Sequence, residues 1–431
     1  MVVVGVGALA AKLVAMAKDM VVAAHFGTSD SMDAFLVALA LPTFIANVVA
    51  GSIPSALVPV YIGVRDREGP SAARHLLSNV LAGAVAVVVA ASALLVLLSP
   101  LLLRVVGATF VGAKLALAER LFVLLVPLIV ISGISTILSA VLNADERFLL
   151  GAATPVLIGL MPMLFVLGGG ARWGIYALGA GLIAGYASEL CVLVWNVRRR
   201  GFITRPTLRT PHPETRRVVR EYVPMVLGMA VMSATALVDQ TMAAMLGPGS
   251  VSALTYGSKL VTAGLGIGVT ALSTALFPHF STMVAAGNWT AVRHTLRTYA
   301  RLILLVAVPL VVVFWFFSDA IVRAVFERGA FTGADTAVVA RVQALFALQI
   351  PFYVLGIVGV RLLSATGGNR LLMWISVGNF VTNIVGNYLF MQVWGVAGIA
   401  LSTSLVYMIS SGAIYFGVRR RIHINSGARP I

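Results

Sequence analysis

The sequence predicts an all-α polytopic membrane protein, with about twelve transmembrane helices in two parallel six-helix repeats around a central cavity. Three observations predict it. Apolar residues make up 60% of the 431-residue chain and charged residues only 11%, with a mean hydropathy of +0.99. Soluble domains carry roughly 45–50% apolar and about 25% charged residues. The second half of the chain repeats the first at a nearly constant offset. The basic residues gather in alternate connections, as they do when loops alternate between the two sides of a bilayer.

The repeat is read residue by residue. Asp19, Ala23, Ala24 and Gly27 recur 220 positions on as Asp239, Ala243, Ala244 and Gly247. Ala56, Leu57, Pro59, Ala72, Arg74 and His75 recur at 219 as Ala275, Leu276, Pro278, Ala291, Arg293 and His294, as do Ser99 and Arg104 as Ser318 and Arg323. Gly174, Tyr186 and Val197–Arg200 recur at 221 as Gly395, Tyr407 and Val418–Arg421. An offset that drifts by only two residues implies a duplicated bundle. Facing halves of this kind are how many secondary transporters build an alternating-access pathway.

Taken in order, the apolar runs place helices near 1–24, 32–62, 77–104, 118–143, 150–169, 174–198, 218–245, 253–283, 298–325, 337–365, 371–393 and 396–418. Met1-Val2-Val3-Val4 lacks the basic segment of a secretory signal, so the first helix is expected to remain uncleaved. Residues 1–200 form the first six-helix bundle, 201–217 a basic linker, and 218–431 the second bundle with a short basic tail. Connections after even-numbered helices hold Arg65, Arg67, Arg74, Arg147, the cluster Arg198 to Arg220, Arg293, Arg297, Arg301, Arg361 and Arg370, and Arg419 to Arg421 close the chain. Odd connections hold fewer, among them Arg104, Lys114, Arg172 and Arg323. The positive-inside rule then puts both termini in the cytoplasm. Six helices per half inserts both halves the same way round. The linker, with Pro206, Pro211 and Pro213 among its charges, reads as a topology signal that lies against anionic headgroups at about 1 kcal/mol per basic residue. The net charge of +16 therefore calls for membrane lipids and not nucleic acid. Prolines such as Pro42, Pro54, Pro59, Pro127, Pro155, Pro162 and Pro351 predict kinked helices.

The lone Cys191 excludes an intramolecular disulfide. No GxSxG, P-loop, HExxH or Cys/His cluster appears. Asp145-Glu146-Arg147 and Asp66-Arg67-Glu68 read as solvated turns; a membrane-embedded enzyme or envelope-assembly scaffold would have to work through Asp145 or Glu146.

Polar residues inside the helices are the functional candidates, because an ionisable group at mid-bilayer costs several kcal/mol unless it faces a cavity or a partner. The first helix carries Lys12, Lys18 and Asp19. Lys18 and Asp19 point about 100° apart and are expected not to neutralise each other along one face. Asp33 opens the second helix, Asp239 lies in the seventh and Lys259 in the eighth. The lysines suggest a cationic cavity for an anionic group such as phosphate or pyrophosphate. The competing reading is that Lys18 and Lys259 snorkel to the membrane edges. Asn379, Asn383 and Asn387 share one helical face. They read either as helix–helix glue or, with Asp239 and Thr403, as oxygen ligands for a hard cation.

The opening of the chain resembles the MurJ/MviN family: Lys18-Asp19, then Phe26-Gly27 and Asp33-Ala34-Phe35, ending on Ser55-Ala56-Leu57-Val58-Pro59. Phe326 to Thr332 (Phe-Glu-Arg-Gly-Ala-Phe-Thr) is similar to that family's FxxGxFT, and Tyr256 to Lys259, Leu276-Phe277-Pro278 and Gly395 to Ser402 also fit. The resemblance runs over essentially the whole chain. It implies a MATE-like fold with a V-shaped cavity, and a flippase carrying lipid-linked peptidoglycan precursor, lipid II, by alternating access. Export of another polyprenyl-linked oligosaccharide, or cation-coupled drug export, are the alternatives. It implies substrate contact at Lys12, Lys18, Asp33, Lys259 and Arg361, and sodium, the only cofactor implied, at Asp239, Asn379, Asn383 and Thr403. The expected partners are a lipid-linked anionic oligosaccharide, membrane lipids of the bacterial cytoplasmic membrane, and the cell-wall synthesis machinery. Three departures stand out. Ala46 to Ser52 lacks the arginine and acidic residue usual there, lysine replaces arginine in the cavity, and two further helices common in the family have no counterpart in these 431 residues.

Overall fold

A computed structural model of the chain describes residues 2–145, 148–199 and 212–425. All regular structure among the described residues is helical. The helices are α1 (Val2–Phe26), α2 (Asp30–Ile45), α3 (Ile53–Glu68), α4 (Pro70–Val106), α5 (Gly112–Leu125), α6 (Pro127–Ala144), α7 (Phe148–Ala153), α8 (Val156–Trp173) and α9 (Ile175–Arg199). After the linker come α10 (Thr215–Ala244), α11 (Ser250–Ala285), α12 (Trp289–Phe326), α13 (Gly333–Ala347), α14 (Ile350–Ala365), α15 (Asn369–Trp394) and α16 (Val396–Asn425). Most of the linker lies outside the described residues, and its last three residues, Thr215 to Arg217, already belong to α10.

Four spans are broken rods: α2–α3, α5–α6, α7–α8 and α13–α14. Proline sets the breaks, since it lacks an N–H and crowds the preceding turn. Pro54 opens α3, Pro127 opens α6, Pro155 precedes α8 and Pro351 begins α14. Between α2 and α3 the chain widens into a π-helical turn, Ala46–Ala50, closed by Gly51 N–H donating to Ala46 O at 3.0 Å. Ser52 Oγ donates to Val48 O at 2.7 Å, and Tyr222 OH to Val49 O at 2.9 Å. These bonds hold carbonyls that the break leaves without helical partners, as a bilayer requires.

The duplication is written into the boundaries. Counting each broken rod once, twelve spans appear among the described residues, and nine of the helical runs are long and apolar enough to cross a bilayer. α1, α11 and α15 are not among the nine; α1 carries Lys12, Lys18 and Asp19, α11 Lys259, and α15 the three asparagines. α4 and α12 end at Val106 and Phe326, 220 apart. Gly174 and Gly395, 221 apart, join α8 to α9 and α15 to α16 with nearly the same backbone, φ 55 and 58, both ψ −138. That left-handed turn is strained for any side chain, so glycine stands in both copies.

The chain forms two compact units, Met1–Gly249 with Arg328–Phe331, and Ser250–Glu327 with Thr332–Ile431. This division differs from the sequence division at the linker. α10, first helix of the second repeat, packs on α2, the π-turn, α3 and α4 within the first unit. The core of that unit lies between α3, α4, α6 and α9, around Leu57, Tyr61, Leu76, Leu77, Leu138 and Leu193. Within the second unit α16 packs on α15, α14 and α13, and α11 on α13 and α14.

Lipid tails are as apolar as leucine, so close backbone approach rather than water exclusion holds such helices together. α9 crosses α8 where a Cβ on Gly181 would stand 2.6 Å from Pro162 Cα. Gly181→Ala is expected to lower the melting temperature in detergent through overpacking worth about 1–3 kcal/mol. Gly83→Ala, in α4 with nothing within 4 Å of the new methyl, should hold or raise it by up to about 1 kcal/mol. Thermal unfolding of the two variants side by side checks the opposite signs.

Candidate functional site

α1 is pinned along α7 and α8. Gly7 lies against Ala152, and Gly159 against Val14 and Ala15. Lys12, between these contacts, is half-buried and has no hydrogen-bond or ion-pair partner among the described residues. Lys18 Nζ lies 3.0 Å from Asp19 Oδ1. That corrects the expectation that the two do not neutralise each other. The directions of the Cα–Cβ bonds do differ, but the four-carbon lysine stem curls back to the neighbouring carboxylate. Lys12 is therefore the uncompensated charge of α1.

Asp33 is held inside the first unit. It has 0% exposure, and its carboxylate is taken up by structural contacts. Gly249 N–H donates to Oδ2 at 2.7 Å and Lys114 Nζ lies 3.3 Å from the same oxygen. Lys114 also pairs with Asp30 and stands over the Phe110 ring at 4.2 Å. Local sequence explains the geometry: Ser29 caps α2, placing Asp30 and Asp33 in its first turn, where the helix dipole favours acidic groups. A side chain at Gly249 (φ 79) would stand 2.8 Å from Thr28 O, so the amide reaches Asp33 only as glycine. Beside this knot, Ala330 N–H donates to Ala24 O at 2.7 Å. Gly329 (φ 59), where a Cβ would sit 2.3 Å from Ala24 O, is the glycine of the Phe326–Thr332 motif.

In the second unit Lys259 is half-buried, with Nζ 5.5 Å from the Tyr256 ring centroid, a cation–π contact. Tyr256 is buried and packs on Phe326. Arg361 is exposed on α14. The asparagine stripe holds α15 to α16: Asn379 Nδ2 donates to Ser410 Oγ at 2.9 Å, and Ser402 Oγ to Asn383 O at 3.5 Å. Asn387 Nδ2 donates to Asn383 Oδ1 at 3.4 Å along the stripe. Thr403 Oγ1 donates to Ile399 O of its own helix. These bonds use amide and hydroxyl hydrogens, and the oxygens present are hard donors of the kind sodium takes. They are neutral, however, and Asp239, the carboxylate expected with them, stands on α10 of the first unit.

Of the two acidic turns, Asp66 to Glu68 is exposed as the sequence reading has it, and Asp145 departs from that reading. Asp145 is not a solvated turn residue: Arg65 Nη1 lies 2.9 Å from Oδ1 and Tyr61 OH donates to Oδ2 at 3.3 Å, which closes the end of α6. Glu146 and Arg147 lie outside the described residues. Glu68 pairs with His212 Nε2 at 3.3 Å, while His212 N–H donates to Asn79. Sequence reasoning passes over Glu189, a buried carboxylate inside α9 to which Thr154 Oγ1 donates at 3.3 Å. The available signal was a lone acid in an apolar run, nine residues before Arg198.

The family model described as "Lipid II flippase MurJ" matches residues 22–429. The chain belongs to the MurJ family. It is 26% identical over 442 residues to the lipid II flippase MurJ of Burkholderia cenocepacia, covering 96% of this chain and 82% of that protein. It is likewise 26% identical over 420 residues to the probable lipid II flippase MurJ of Thermotoga maritima, covering 96% and 84%. The fold is that of a lipid II flippase MurJ solved in an inward closed conformation, with TM-score 0.85 at 22% identity, covering 99% of this chain and 90% of that one. An inward-facing multidrug resistance MATE transporter has the same fold, with TM-score 0.80 at 12% identity over 97% of this chain and all of that one. Membership makes this MurJ-family chain a multi-span carrier and not an enzyme, consistent with the structural use made of Asp145.

In this MurJ-family chain the Lys114–Asp33 pair has a fully buried carboxylate, which sets its effect on stability. Lys114→Met leaves a buried carboxylate with too few partners and should destabilise by about 3 kcal/mol. Adding Asp33→Asn should recover most of the loss. Melting temperatures of the single and double variants check it.

Proposed function

We propose that this chain is a lipid II flippase of the bacterial cytoplasmic membrane, moving the lipid-linked precursor between leaflets by alternating access of its two repeats. The observation that carries the reading is the family match over residues 22–429; Lys12, an unpaired cation inside a membrane helix, supplies the chemistry. A pyrophosphate headgroup is the kind of ligand such a cation takes, and lysine meets it as a point charge without arginine's bidentate geometry. Lys18, Lys259 and Arg361 are the further substrate contacts in this reading, with Lys18 available once it releases Asp19. Both termini face the cytoplasm, supported by the basic even-numbered connections. The cell-wall synthesis machinery, which uses the flipped precursor, is the protein partner this reading calls for.

Sodium is the coupling ion in the same reading, held by Asp239, Asn379, Asn383 and Thr403, and supported by the hard oxygen donors on α15 and α16. A sodium-specific rise in melting temperature, absent with potassium and in Asp239→Asn, is the expected result; no shift with sodium removes the site.

Complementation tests the main reading. A strain depleted of its own lipid II flippase should grow when this chain is expressed. Lys12→Ala should cut rescue at least about tenfold, the loss of roughly one charge-assisted bond, and Lys12→Arg should keep it. A wild-type chain that reaches the membrane and fails to rescue, or a Lys12→Ala variant that rescues fully, overturns the proposal.

A further inference from the structure

Glu189 is the acidic residue of α9, and neither the repeat nor the substrate reading accounts for it. Ten helical residues follow it and fourteen precede it, so at about 1.5 Å per residue it sits some 15 Å from the nearer end. α9 is about 37 Å long against a ~30 Å hydrocarbon core, so Glu189 lies within the span on the side of Arg198 and Arg199. The residue is only 7% exposed.

Among the described residues no cation pairs with it. α9 packs on α8, α6, α5 and α2. It runs antiparallel to α8, with Gly181 against Pro162 and Gly185 against Ile158, which brings Glu189 level with Thr154. The charged residue of α8, Arg172, is at its far end, about 25 Å away along the axis. α6 carries no charged residue, and Asp145 just beyond it is held by Arg65 and Tyr61. α5 meets α9 at Leu124 and Gly179, ten residues from Glu189. Lys114 on α5 is occupied by Asp30 and Asp33 of α2, and Glu119 and Arg120 lie on the same distant stretch. On α9 itself the titratable neighbours are Tyr186 and Cys191, with Arg198 and Arg199 at the end. Lys12 on α1 stands at a similar level along α8, yet among the described residues no ion pair joins it to Glu189.

A carboxylate with, among the described residues, a single hydroxyl partner and no cation is costly in such a place. Thr154 suits both forms, since a hydroxyl donates to a carboxylate and accepts from a carboxylic acid. The repeat supplies a comparison. At the same 221-residue offset as Gly174 and Gly395, the counterpart of Glu189 is Ser410, also 7% exposed, which accepts from Asn379 at 2.9 Å. A neutral pair ties helices together at this level in the second unit, so packing alone does not ask for an acid in the first.

We propose that Glu189 is a proton-binding site, a neutral acid when packed against Thr154 and a carboxylate when α8 and α9 open to water. One proton is taken from water and returned to it per cycle, and no other reactant enters. The site stands without the transport reading; only the statement that its proton accompanies flipping rests on it.

Infrared titration of the purified chain in nanodiscs tests the site. A carboxylic-acid band is expected at neutral pH in wild type, lost in Glu189→Gln and shifted in Thr154→Val. Where Glu189→Gln fails to fold, carbodiimide, which adds to protonated carboxyls in apolar surroundings, should label the Glu189 peptide of wild type and label it less as pH rises. A carboxylate already ionised at neutral pH, unlabelled by carbodiimide, overturns the proposal. Flipping of labelled lipid II in proteoliposomes should change at least about tenfold across the titration in wild type and stay flat in Glu189→Gln. Equal pH profiles overturn the coupling. A wild type that shows the band but moves no lipid II counts against the transport reading, and the infrared result then decides the proton site alone.

Discussion

Hydrocarbon offers a polar group no partner, so a hydroxyl, amide or charge carried into these helices is costly unless another part of the protein takes it up. That constraint orders the structure. At the π-turn, where α2 gives way to α3, Ser52 and Tyr222 take up the loosened carbonyls. Between α15 and α16 it turns the asparagine stripe into a seam with Ser402 and Ser410. At the start of α2 it gathers Asp33, Lys114 and the Gly249 amide into one buried knot. Each is a place where a break or a charge that looks costly in sequence is satisfied by a residue far away in the chain.

The same constraint explains how much could be read beforehand. Long-wavelength features were legible: the twelve spans, the duplicated boundaries, the kinks at Pro54 and Pro127. They depend on local hydropathy and on proline's missing N–H, both of which sit in the sequence window. The partners of the polar groups were not legible. Lys114 reaches Asp33 across 81 residues, and nothing in either segment announces the other. Lys18 and Asp19 failed for the opposite reason, because the helical-wheel argument places Cβ atoms and ignores the reach of a lysine stem. The asparagine stripe was read with two meanings, and its hydrogen bonds favour the seam without removing the oxygens that a cation would use.

The segment from Ala46 to Ser52 shows what one departure from the family pattern does physically. The resemblance leads one to expect a basic and an acidic side chain there; this chain has neither. Its place is taken by a widened turn whose Val49 carbonyl accepts from Tyr222 on α10. A carbonyl engaged by a tyrosine keeps α2 and α10 together but offers nothing to a phosphate. In the first repeat Lys12, on α1, has no counter-charge among the described residues.

Comparison of the two repeats separates scaffold from chemistry. Residues that shape the backbone survive duplication: Gly174 and Gly395 share a conformation closed to other residues, and Pro59 and Pro278 fall at the same point. The charges do not. At the offset that pairs Asp19 with Asp239, Lys12 answers to Met232 and Lys18 to Val238, while Lys259 answers to Leu39. Glu189 answers to Ser410. A fold needs its turns in both halves but can place each costly charge in one, so the unduplicated charges are where a symmetric frame acquires a directional task. Lys12 and Glu189, at similar levels along α8 and in the same unit, are two such charges.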